Sequence, residues 1–226
     1  MPVGHGFLKH QKLHTQGKYT QNRGAQLQRN EYSAGAVKLS FWFAEFKKII
    51  AMLHEGKSME EIKTLAEEEN IFSAATQARS KQMFTTVSMR VSRLSDIYHD
   101  IFLRSTHETQ KLINLISIMN TDTLFFDFMN EIYREKLVIG DTVLTDMDLR
   151  VFFHNKQEQS EKVAKWTEET IERLQKSYKS WLTEAGLLDQ SQGDRKIIRP
   201  FIDYDLEAVL KNTNMKPILD ALSGTR

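Results

Sequence analysis

Between Leu112 and Ile132 the chain has no polar face. Leu112, Ile113, Leu115, Ile116 and Met119, then Leu124, Phe125, Phe126, Phe128, Met129 and Ile132, surround a helical projection on nearly all sides. A helix that is apolar all round must be covered all round. The pattern therefore predicts two buried central helices, about Glu108–Met119 and Asp122–Lys136, with the rest of the chain packed on them.

The flanking segments have the one-sided patterns suited to that packing. Leu39, Trp42, Phe43, Phe46, Ile49, Ile50 and Leu53 form a single stripe at helical spacing. Gly56 ends that helix, and Ser58 with Glu61 is a capping box that opens the next one, Met59 to about Glu69. A third helix runs from about Ala74 to Leu103 with a break near Ser95. Phe84, Val87, Val91, Leu94 and Tyr98 form its inward face. Thr145 and Asp148 cap a helix through Phe153. A long helix from about Ser160 to Ala185 then ends at Gly186, and its pairs Glu161–Lys165, Glu169–Arg173 and Glu172–Lys176 line a solvated face. The stretch 187–201 predicts a β-hairpin stopped by Pro200, and Asp203 or Asp205 caps a further helix. The expected fold class is all-α: a multi-helix bundle with helix-turn-helix and winged-helix-like units and one or two small β-hairpins. Residues 1–30 predict a mobile basic tail. Residues 31–104 predict a helix-turn-helix-like part, and 105–226 a helical part carrying the winged-helix-like hairpin, the two forming one compact unit.

Several function classes are disfavoured. The chain has no cysteine, which removes disulfides, thiolate metal sites and a thiol nucleophile. No apolar run reaches the length of a membrane span and the first residues lack a signal-peptide core, so a cytoplasmic protein is expected. The "EGKS" at Glu55–Ser58 lacks the upstream glycine of a phosphate-binding loop, Met52 standing in its place. Asp203, Asp205, Glu207 and Lys211 resemble a nuclease cluster, but capping and a surface pair explain them more simply. The histidines at positions 5, 10, 14, 99, 107 and 154 show no ligand spacing. No catalytic residue, metal or cofactor is expected.

Charge gives the positive signal. The chain is nearly neutral, yet residues 1–48 hold eight Lys or Arg against Glu31 and Glu45 alone. Asn70–Ser95 contains four basic residues and no Asp or Glu. On the third helix Arg79, Thr86, Arg90 and Arg93 share one stripe beside the apolar face, about 21 Å long at 1.5 Å per residue, while Lys81 points elsewhere. Ser73, Ser80, Thr85, Ser88 and Ser92 add hydroxyl donors suited to phosphate oxygens. Arg195, Lys196 and Arg199 mark the hairpin, and Arg23 and Arg29 the tail. Arginine suits such a role because its planar fork binds phosphate or guanine through two hydrogen bonds. Two other readings of the stripe remain open: a solvated face, and pairing in space with acids such as Glu67–Glu69.

The segment from Glu31 to Phe72 carries Tyr32-Ser33-Ala34, Glu45-Phe46, Leu53 with Glu55-Gly56-Lys57-Ser58, Glu61-Ile62 and Glu69-Asn70. With Phe125–Lys156 and Trp166–Leu188, these blocks resemble the BrxA family of BREX bacteriophage-defence systems over roughly residues 31–205. The resemblance implies an all-α protein with small β-hairpins and a core similar to that of the antitermination factor NusB. It also implies double-stranded DNA binding beside other BREX proteins, a methyltransferase and ATPases among them. It supplies no catalytic residue. The expected role is a non-enzymatic, monomeric DNA-binding component that holds phosphates with little base specificity. A protein–protein adaptor and NusB-like RNA binding are the alternatives.

Overall fold

The computed structural model describes residues 29–225. The predicted tail ahead of Arg29, with Arg23 and three histidines, lies outside the described residues. A 3-10 turn, Ala34–Lys38, leads into α1 (Phe43–His54), α2 (Met59–Glu68), α3 (Gln77–Ser92), α4 (Asp96–Arg104) and α5 (His107–Thr121). Next come α6 (Thr123–Phe128), a π turn (Met129–Tyr133), α7 (Arg134–Ile139), β1 (Val143–Leu144), α8 (Asp146–Gln159), α9 (Glu161–Ala164) and α10 (Glu168–Glu184). β2 (Arg195–Lys196), α11 (Tyr204–Asn212) and α12 (Lys216–Ser223) complete the chain. The fold is all-α with one small antiparallel sheet, as the sequence pattern predicts.

α5 and α6 are the centre that their composition requires. Every residue from Leu112 to Asn120 and from Thr123 to Met129 is buried. Phe125 is the hub of an aromatic cluster, its ring 4.9 Å from that of Tyr178 and 5.1 Å from that of Trp181. Such edge-on aromatic pairs add to the ordinary gain from burying area. One continuous apolar cluster runs from Ala36 to Leu222 and joins all the helical layers.

Local signals set most boundaries. Both halves of the Ser58–Glu61 and Thr145–Asp148 capping boxes form. Asp203 caps α11 by accepting from the Leu206 amide at 2.9 Å. Gly56 and Gly186 take the left-handed conformation where α1 and α10 stop.

Three elements differ from expectation. α1 starts at Phe43 rather than Leu39, because Trp42 turns left-handed (φ 50°, ψ 49°) and bends the preceding strand of chain across α3. The expected 160–185 helix is two helices: Ser160 caps α9 and Thr167 caps α10. The interruption separates Glu161 from Lys165, and only the Glu169–Arg173 bridge of the three expected pairs is formed among the described residues. The hairpin exists, held by an antiparallel bridge between Leu188 and Ile197. Its second arm also pairs with β1, Val143 opposite Lys196 and Leu144 opposite Arg195. The order along the chain is thus strand, helices, then a hairpin whose return arm lies between its partner and β1.

Candidate nucleic-acid interface

The α3 stripe is largely withdrawn from solvent. Arg90 is 2% exposed. Its guanidinium donates to the carbonyls of Ser40 and Phe41 at 3.0–3.3 Å and lies 5.8 Å from the Trp42 ring and 5.9 Å from that of Trp181. Burial pulls its pKa down to about 10, partly opposed by the nearby Asp122 carboxylate. The cause is the left-handed Trp42: it presents the carbonyls of residues 40 and 41 to the helix that passes beneath. Thr86 is buried too, so neither Arg90 nor Thr86 is available to a phosphate.

Arg79 and Arg93 are half-buried. Arg79 stacks on Trp42 at 4.9 Å and donates to the Gln82 side chain and the Lys38 carbonyl. Arg93 ends α3, and Asn120 donates to its carbonyl at 3.2 Å. Ser80 is buried and donates to the Ala66 carbonyl at 2.5 Å. Carbonyl oxygens thus accept from Arg79, Ser80 and Arg90, whereas one guanidinium nitrogen of Arg93 is buried without a partner among the described residues. Glu67 takes part only through its backbone, accepting from Gln77. Lys81, which the helical projection turns away from the stripe, is exposed.

The other candidates divide similarly. Arg29 is committed to a salt bridge with Asp127 at 2.7 Å, which the Tyr32 hydroxyl shares at 2.7 Å. Arg195 is half-buried, donating to the Thr183 hydroxyl and the Lys179 carbonyl, so it fastens the hairpin to α10. Lys196 and Arg199 are exposed; Arg199 gives one donor to the Leu137 carbonyl at 3.1 Å and keeps the remainder of its fork outward. Arg23 lies outside the described residues. Lys196 and Arg199 are thus exposed cations of the hairpin's return arm, and Lys81 stands apart on α3. Lys38, Lys47 and Lys48 are exposed on and before α1, against which α3 packs. These lysines belong to the basic N-terminal excess, and nothing in their spacing singles them out as a site. Among the described residues no group of three or more His, Asp or Glu is placed to hold a metal ion, and no helix is long and apolar enough to cross a membrane.

The family model of BrxA matches residues 30–214. The chain belongs to the BrxA family. A curated relative, the BREX protein BrxA of Bacillus cereus (strain H3081.97), is 41% identical over 182 residues, 80% of this chain and 91% of that protein. An uncharacterized protein from Magnetospirillum magneticum has the same fold: its crystal structure superposes with a TM-score of 0.71 at 14% identity, over 87% of this chain and all of that one. The BrxA match takes in α1 to α11 and the hairpin, and begins one residue after Arg29. Residues 1–28, with their acid-free basic composition, lie outside it.

Proposed function

We propose that this BrxA-family chain is a non-enzymatic, duplex-DNA-binding component of a BREX phage-defence system, holding phosphates chiefly through its hairpin. The defence role follows from the family and from a relative that carries the BREX name. The observation that carries the DNA reading is the β1–α8–α10–hairpin arrangement, the element order of a winged helix, with Lys196 and Arg199 exposed on the hairpin's return arm. Lys81 and the lysines of α1 add sequence-independent attraction, as do Lys9, Lys12, Lys18 and Arg23. The exposed set offers charge and few base-reading amides, so the interaction is electrostatic and weakly specific.

The test is duplex affinity measured against salt for the wild type and for Lys196→Ala/Arg199→Ala. Removing one phosphate-binding cation flattens the log–log slope by about 0.9. A slope that does not move takes the hairpin out of the interface.

One observation favours a second reading, a protein–protein adaptor among the other BREX proteins. In a winged helix the position of α10 faces the duplex, and here its exposed start carries Glu168, Glu169 and Glu172. Carboxylates there repel phosphate. Wild-type protein that ignores duplex at low salt yet co-elutes with a defence partner establishes the adaptor. RNA that outcompetes duplex at equal salt establishes the NusB-like alternative.

A further inference from the structure

The Glu172–Lys176 pair that helical spacing predicts does not form among the described residues. Both side chains line a cleft of about 500 Å³ between α8 and α10, a volume in the range of ligand-sized sites. Phe153 and Ile171, both buried, give the cleft an apolar floor. Its walls are charged, and much of that charge is uncommitted. Arg150 reaches only the Met147 sulfur, at 3.9 Å, and Lys176, Glu168 and Glu172 bond no side chain among the described residues.

The two signs are sorted along the cleft. At one end Lys179 is bridged to Asp146 and donates to the Gly193 carbonyl of the hairpin turn at 3.5 Å. The start of α8 thus meets the last turns of α10. Arg150 lies one turn from Asp146, and Lys176 three residues from Lys179, so the uncommitted cations gather at this end. Glu168 and Glu172 stand in the first turns of α10, at the other end. From Glu168 to Lys179 is eleven residues of helix, about 16 Å at 1.5 Å per residue.

This arrangement narrows the occupant. Asp146, Glu168 and Glu172 balance Arg150, Lys176 and Lys179, so a phosphate chain gains little from the cleft. A partner with its own charges separated in the opposite order gains at both ends. An α-helix has that property by nature, because acids are favoured in its first turn and bases in its last. Laid with its first turn against Arg150 and Lys176 and its last against Glu168 and Glu172, such a helix runs antiparallel to α10. About three turns fill the length, and one apolar side chain at the middle covers Phe153 and Ile171.

We propose that the α8–α10 cleft docks one amphipathic helix of a partner protein, acidic in its first turn, apolar at its middle and basic in its last. The proposal rests on the adaptor reading and gives it a place. Lys196 and Arg199 do not line the cleft, so the hairpin's hold on a duplex is a separate matter.

Two stapled helical peptides of about twelve residues are the probes. One has Glu in its first turn, Leu at its middle and Lys in its last turn; the other has Glu and Lys exchanged. Fluorescence anisotropy with the full chain is expected to show the acid-first peptide binding about tenfold more tightly, the scale of a few surface ion pairs. In Arg150→Glu/Lys176→Glu/Glu168→Lys/Glu172→Lys the preference is expected to invert. All four side chains are exposed, and unchanged helical circular dichroism checks the fold. No binding of either peptide, equal affinities, or one order of preference in both chains overturns the proposal. A BREX partner that co-elutes equally with the wild type and the fourfold variant also overturns it, and leaves the adaptor reading standing. A wild type that co-elutes with no BREX protein removes the adaptor reading and the docking with it. Equal peptide affinities together with weaker duplex binding by Arg150→Glu/Lys176→Glu overturn it in favour of a phosphate subsite.

Discussion

The guanidinium of Arg90 donates to the Phe41 carbonyl at 3.0 Å, bridging 49 residues of chain. This bond accounts for the most buried arginine of the acid-free basic helix. The segment before α1 crosses α3 with its carbonyl oxygens turned inward, and a buried arginine satisfies them. Two tryptophan rings cover the same guanidinium, so the charge sits among dipoles and π faces, with the Asp122 carboxylate near it but not bonded to it.

Arg90→Ala is expected to destabilise the fold by roughly 2–5 kcal/mol, since it opens a cavity between Trp42 and Trp181 and takes the guanidinium donors from the Ser40 carbonyl, the Phe41 carbonyl keeping only the Asn114 amide. Lys81→Ala, on the exposed side of the same helix, is expected to change stability by less than about 0.5 kcal/mol. Urea denaturation of the two variants reads the contrast, and similar midpoints would contradict the structural role given to Arg90.

Asp122 predicts a pH dependence. It caps α6 through the Phe125 amide at 3.0 Å, only partly exposed by area and crowded by protein on all sides. Desolvation raises its pKa from 3.8 to about 6, against the opposing pull of backbone donors and Arg90. A carboxyl whose folded pKa is raised binds more protons in the native state, so its contribution is most favourable below pH 3.8 and is lost as pH rises to about 6. Asn keeps the cap without the charge. Asp122→Asn is therefore expected to match the wild type near pH 4 and to exceed its stability by about 1–3 kcal/mol at pH 7. Denaturation at the two pH values checks it; a variant less stable than the wild type at pH 7 would show that the ionised carboxylate is a net stabiliser.

Much of the fold was legible because its signals are local. The capping pairs Ser58–Glu61 and Thr145–Asp148 and the terminal glycines 56 and 186 act within one turn of the chain, and the apolar stripes report burial directly. The candidate site was less legible. A helical projection places Arg90 beside the apolar face, but only the Trp42 turn, far upstream, decides that this side is covered. The missing acids looked like a free cationic surface, whereas backbone carbonyls, which carry no sequence signature, were the partners of Arg90. Arg195 was withdrawn in the same way, by the Thr183 hydroxyl. The exposure of Phe201 and Tyr204 was equally silent, since "PFIDY" reads as ordinary apolar spacing, yet the fold leaves both rings in water.

The charged pair under the N-terminal segment gives a third expectation. Lys156 is 3% exposed and Asp127 2% exposed; Lys156 bonds Glu131 at 2.7 Å and lies 3.7 Å from Asp127, which also holds Arg29 and Tyr32. Asp127→Ala leaves the buried ammonium with Glu131 as its one carboxylate and frees both N-terminal anchors, and is expected to cost about 3–5 kcal/mol. Adding Lys156→Met recovers part of that loss, because a buried ammonium that has lost one of its two carboxylates is then gone. Chemical denaturation of the single and double variants decides: no recovery places the cost in the Arg29 and Tyr32 anchors instead.

Two glycines of similar backbone give the last expectation. Gly193 in the hairpin turn and Gly224 after α12 both have φ near +69°, a conformation that costs any other residue about 1 kcal/mol. They differ in surroundings. An added Cβ at Gly193 meets nothing within 4 Å, whereas at Gly224 it falls 2.6 Å from the Leu137 Cβ on α7. Gly193→Ala should therefore show the backbone cost alone, and Gly224→Ala a further loss of about 1–3 kcal/mol from overpacking. The second loss reaches the hairpin, because Leu137 supplies the carbonyl that holds Arg199 and α12 packs on the π turn whose Tyr133 holds Ile198. Amide exchange at Ile198 is accordingly expected to accelerate in Gly224→Ala, although position 193 is the one that lies in the hairpin itself. Acceleration at Ile198 in Gly193→Ala alone would mean that the turn, and not the α7–α12 packing, sets the hairpin's rigidity.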